Sequence, residues 1–81
     1  MTRRTFSGRE AVKALRKHDF KIANRGGSHV TLVYRHPETD EYRRVTVVMH
    51  DEIATGTLQK IAKQAGADDF QKFCEWIGDT L

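Results

Sequence analysis

The sequence predicts an α+β domain in which a three-stranded antiparallel sheet carries helices on one face, in the order α-β-β-β-α plus a C-terminal helix. Three observations predict it. Apolar residues recur at helical spacing near both ends of the chain, the period falls to two in three segments between them, and turns rich in glycine or proline separate those segments. With 81 residues the chain is too short for two hydrophobic cores, so residues 1–81 are read as one domain.

Ser7-Gly8-Arg9-Glu10 fits a capping box, in which Ser7 and Glu10 satisfy each other's free N–H groups. Ala11, Val12 and Leu15 follow at helical spacing and predict a helix from about Gly8 to His18, with Arg9, Lys13, Arg16 and Lys17 on its other face. Phe20 and Ile22 alternate with Lys21 and Ala23 in a first strand, and Gly26-Gly27 supplies a tight turn. A second strand sets Val30, Leu32 and Tyr34 on one face and His29, Thr31, Val33 and Arg35 on the other. After the polar turn segment His36 to Glu41, a third strand points Val45, Val47 and Met49 one way, and Arg44, Thr46, Val48 and His50 the other. Helices then cover the face holding Val30, Leu32, Val45 and Val47, and Val48 falls on the uncovered side.

A second helix starts near Thr55 or Thr57, either of which can cap it. Leu58, Ile61, Ala62 and Ala65 form its apolar stripe, and Gly66 suits the position just past its end. Asp68 with Gln71 offers a cap for the third helix, about residues 69–78, which buries Phe70, Phe73, Cys74 and Ile77 and leaves Trp76 for a partner surface.

Charge is polarised along the chain. Residues 1–44 hold 11 basic and five acidic side chains, whereas residues 45–81 hold three basic and six acidic ones. A basic first half suits a polyanion, although an ordinary solvated surface gives the same balance. Cys74 is the only cysteine, so an internal disulfide is excluded and the thiol reads as a small buried apolar group. The apolar runs are far too short to span a membrane, and no apolar run follows Arg3 and Arg4. These features place the chain in the cytoplasm, with no membrane partner.

Inward residues of paired strands must face inward residues, so the paired positions sum to an odd number. A turn centred on Thr39-Asp40 gives a sum of 79, which sets His29 opposite His50, Val30 opposite Met49 and Leu32 opposite Val47. A slip of two residues makes the histidines diagonal neighbours, about 7–8 Å apart at the backbone. Two imidazoles on an open, base-flanked surface have a chemical use. RNA carries its own nucleophile, the 2′-hydroxyl, and cleavage without a metal or other cofactor needs only a base for its proton and an acid for the leaving oxygen. Imidazole, which titrates near neutrality, serves in either role, and Arg25 or Arg44 can stabilise charge on phosphorus. Exposed histidines are also common without any function, and His18 and His36 have no such partner. Asp51 and Glu52 lie near His50, but no thiol or carboxylate is placed to complete a metal site. Gly26-Gly27-Ser28 is not followed by a helix, so it reads as a turn that lets a phosphate backbone approach His29 rather than as a phosphate loop.

Four segments together resemble the HicA toxin family over residues 7–66. They are Ser7 to Val12 with Phe20, Arg25-Gly26-Gly27-Ser28-His29, Val45-Thr46-Val47 leading to His50, and Gly56-Thr57-Leu58 through Ile61 to Gln64-Ala65-Gly66. The resemblance implies a double-stranded-RNA-binding-domain-like fold. It implies a ribosome-independent mRNA endonuclease of a type II toxin–antitoxin system, and a HicB-type antitoxin that binds the toxin and occludes its active face. The family's catalytic histidine belongs to a Gly-Ser-His run, which falls here on His29. Relatives often carry Val-Pro-x-His where this chain has Val47-Val48-Met49-His50, and basic residues where it has Asp51 and Glu52.

The first expectation is therefore an endoribonuclease with His29 and His50 as catalytic residues. Lys13, Arg16, Lys17, Arg25, Arg43 and Arg44 hold phosphates, and Gly27 and Ser28 position the strand. A non-catalytic RNA-binding module on the same fold is the alternative, since double-stranded-RNA-binding domains need no histidine on the sheet. A purely structural partner-binding protein has only the acidic second half in its favour.

Overall fold

A computed structural model of the chain describes residues 5–81; Arg3 and Arg4 lie outside the described residues. Six elements follow in order: α1 (Gly8–Lys17), β1 (Lys21–Gly26), β2 (His29–Arg35), β3 (Tyr42–Val48), α2 (Thr55–Gln64) and α3 (Phe70–Thr80). The strands form one antiparallel sheet in the order β1-β2-β3. This is the α-β-β-β-α arrangement of a double-stranded-RNA-binding-domain-like fold, with a third helix appended.

The capping box forms as the sequence predicts. Ser7 Oγ accepts the Glu10 N–H at 3.1 Å, and Glu10 Oε1 accepts the Ser7 N–H at 3.0 Å. Buried Ala11, Val12, Ala14 and Leu15 lay α1 on the sheet. Leu32, Val45 and Val47 meet them there, together with Leu58 and Ile61 of α2 and Phe73, Cys74 and Ile77 of α3. Phe6 and Ile53 close one end of this core, tied by the Ile53 N–H donating to the Phe6 carbonyl at 2.8 Å. Every side chain deep in the core of the described residues is apolar.

Two helix starts differ from expectation. The Ile53 anchor brings the chain into α2 one residue early, so Ala54 occupies the cap position and no side chain caps that end. Asp69, not Asp68, caps α3 by accepting the Lys72 N–H at 3.1 Å. α3 also runs past Gly78, its last turn held both within the helix and from α1. Thr80 Oγ1 donates to the Trp76 carbonyl at 2.7 Å, Lys17 Nζ donates to the Thr80 carbonyl, and His18 Nε2 bonds Thr80 Oγ1 at 3.0 Å. Trp76 is half-buried between the His18 and Phe73 rings.

The β2–β3 register is offset by two from the predicted sum, with its parity kept. His29 faces Val48, Val30 faces Val47 and Leu32 faces Val45. The turn explains the shift. His36 Nδ1 accepts the N–H groups of Glu38 and Thr39 at 3.1 and 3.2 Å, turning the chain immediately after β2. The His36 N–H donates to the Glu41 carbonyl at 2.8 Å, and Asp40 takes the left-handed conformation (φ 62°) that closes such a loop. The reversal is thereby centred earlier than Thr39-Asp40.

Candidate functional site

β1 and β2 are joined by Gly27 and Ser28 alone, since Gly26 pairs with His29. The favoured two-residue hairpin turns need a positive φ at their first central position. Gly27 meets that need with φ 56°. His29, the first residue of β2, therefore stands exposed beside a turn with no bulky side chain in front of it. Val48, half-buried, is its neighbour across the strands.

His50 lies just past the end of β3. The ladder continues one step beyond the strand, where the Met49 N–H donates to the Ser28 carbonyl at 2.7 Å. His50 is thus placed diagonally to His29 rather than opposite it, and it too is exposed. Its backbone is fixed from the other side, because the Gly8 N–H donates to the His50 carbonyl at 2.9 Å. These two bonds hold the backbone on either side of Met49.

β1 carries a bulge between Ile22 and Asn24. The pairing of Ile22 with Leu32 would, if continued, set Arg25 opposite His29. The extra residue moves Arg25 opposite Val30 instead, onto the helix side of the sheet. There it lines a groove with Arg9, Lys13, Arg16 and Lys17 of α1, and with Val12 and Met49. His29 and this groove consequently occupy the two sides of one hairpin end, separated by the turn at Gly27 and Ser28.

The other predicted arginines sit elsewhere. Arg44 shares the open face with His29 but lies opposite Val33, four positions along β3 from Val48. That is about 13 Å of strand, so Arg44 is not among the immediate neighbours of His29. Arg43 faces Tyr34 on the helix side, pairs with Glu41 and packs against Gly66. It is at the far end of the sheet from His29. His18 and His36 are both engaged structurally, in the α3 tether and the β2–β3 turn.

Sequence reasoning missed Gly8. A Cβ there would meet the Val48 carbonyl oxygen at 2.3 Å and Met49 Cα at 2.6 Å. Glycine in the first helical turn after a strong cap was the available signal, since glycine is otherwise a poor choice within a helix. Met49 points to the helix side, as the alternation of β3 predicts, and lies on the groove.

Among the described residues, no group of three or more His, Cys, Asp or Glu side chains could hold a metal ion. No helix among them is long and apolar enough to cross a membrane. What the site offers is an accessible imidazole, a second histidine near it, and a groove lined by cations.

Comparison with known proteins bears on residues 8–67, which match the family model for the HicA toxin of bacterial toxin–antitoxin systems. No curated protein and no solved structure matches the chain.

Proposed function

Because the chain belongs to the HicA toxin family, we propose that it is an RNA endonuclease, an mRNA interferase in which His29 carries proton transfer. The observation behind this reading is the position of His29, exposed at the start of β2 beside a glycine-led turn and next to a cationic groove. The 2′-hydroxyl oxygen attacks the adjacent phosphorus while a base takes its proton. The bond from phosphorus to the 5′-oxygen breaks, and an acid protonates that oxygen. The products are a 2′,3′-cyclic phosphate and a 5′-hydroxyl. His29 performs one of these two transfers, and His50 is its counterpart.

Gly27 and Ser28 let the phosphate backbone pass close to His29. Lys13, Arg16, Lys17 and Arg25 hold phosphates on one side of the hairpin end, and Arg44 holds one farther along the open face. A HicB-type antitoxin is the protein partner, and cytoplasmic mRNA the substrate.

Incubation of the purified protein with unpaired RNA in excess EDTA tests the chemistry. Fragments ending in a 2′,3′-cyclic phosphate are expected. Cleavage that appears only after a divalent metal is added would contradict the acid–base mechanism.

A further inference from the structure

The groove beside the hairpin has a composition that phosphate binding alone does not explain. Arg9, Lys13, Arg16, Lys17 and Arg25 rim a space of about 630 Å³, and Val12 and Met49 line it between them. Val12 is only 8% exposed and Met49 is half-buried, so their apolar atoms form a floor rather than a protrusion. Among the described residues no carboxylate pairs with any of the five cations, and only the Lys17 side chain has a hydrogen-bond partner there, the Thr80 carbonyl. Like charges gathered in this way favour the arrival of a polyanion.

The cations of α1 succeed one another mainly at intervals of three or four residues, steps of about 4.5–6 Å along the helix. Such spacing suits successive phosphates of an extended strand. In duplex RNA the base faces are stacked and hidden, and side chains meet only phosphates, 2′-hydroxyls and base edges. An apolar floor between cationic walls then has nothing to contact. An unpaired base does present a free π-face, and a methionine thioether packs well against one.

We propose that the groove between α1 and the β1–β2 hairpin is a subsite for single-stranded RNA. One unstacked base lies against Val12 and Met49, while the surrounding cations hold its flanking phosphates. This subsite rests on the RNA-cleaving reading above and narrows its substrate to unpaired strands, led across Gly27 and Ser28 to His29.

Binding to the full-length His29→Ala protein tests it with three probes: a short unpaired RNA, the same RNA annealed to its complement, and an abasic ribose-phosphate chain of equal length. The unpaired RNA should bind about tenfold more tightly than either of the others. Equal or tighter binding of the duplex or of the abasic chain would overturn the subsite. Met49→Ala should weaken the unpaired RNA roughly two- to tenfold and leave the abasic chain unchanged, with Met49→Leu restoring most of the loss. Equal losses for both probes would mean that Met49 acts only through the fold, and would also overturn it. Cleavage by the unsubstituted protein is read separately. His29-dependent cleavage without any preference for bases defeats the subsite alone; a preference for bases without cleavage defeats only the enzyme reading.

Discussion

The Gly8 N–H donates to the His50 carbonyl at 2.9 Å, so the first turn of α1 and the backbone of a proposed catalytic residue are in direct contact. The contact requires glycine. A methyl group at this position would lie 2.3 Å from the Val48 carbonyl oxygen, too close for any side chain. Helix α1 thus carries four of the five groove cations and, through its N-terminus, fixes the backbone just past β3 that bears His50.

Gly8→Ala should therefore force α1 away from β3. Overpacking of this kind costs about 1–3 kcal/mol, read as a lower urea midpoint of unfolding. RNA cleavage should fall as well, because the end of β3 shifts. A variant as stable and active as the unsubstituted protein would show that the close approach does not matter.

Ser7→Ala removes the hydroxyl that accepts the Glu10 N–H. The loss of an N-cap costs about 1 kcal/mol, measurable in the same unfolding experiment. Cleavage should change less than in Gly8→Ala, since no atom is pushed against β3.

The arginines separate by position. Arg43 is paired with Glu41 and packed on Gly66, whereas Arg16 and Arg25 line the groove. Arg16→Gln and Arg25→Gln should each reduce the salt slope of RNA binding by about 0.7. Arg43→Gln should leave that slope unchanged. A slope lowered as much in Arg43→Gln as in the other two would put Arg43 on the RNA, and unchanged slopes in Arg16→Gln and Arg25→Gln would take the groove off it.

Much of this arrangement is legible in the residues themselves. The capping box, the alternation of β2 and β3 and the apolar stripes of the helices are local signals, and each element they predict is present. Gly66, with φ 90°, ends α2 where the pattern places it. The differences arise where tertiary contacts outweigh local pattern. The His36 ring satisfies two turn N–H groups and so moves the β2–β3 register by two. The β1 bulge, which carries no glycine or proline to announce it, turns Arg25 to the opposite face. Phe6 and Ile53 flank the predicted helices and join the core through a backbone hydrogen bond that no local pattern specifies.

His50 is exposed, and its structural bond is made by its carbonyl. His50→Ala should consequently alter stability by less than about 0.5 kcal/mol. As the acid–base counterpart of His29, its loss should slow cleavage by about 10²-fold or more. Unchanged cleavage at unchanged stability would remove His50 from the mechanism and leave His29 without a histidine partner.

The central claim rests on the His29 side chain, which is exposed and has no place in the core. The most direct measurement is the single-turnover rate of RNA cleavage by His29→Ala beside the unsubstituted protein, with both shown to unfold at the same urea midpoint. Loss of a general acid or base predicts a rate at least about 10²-fold lower. Equal rates from the two equally stable proteins would contradict the assignment.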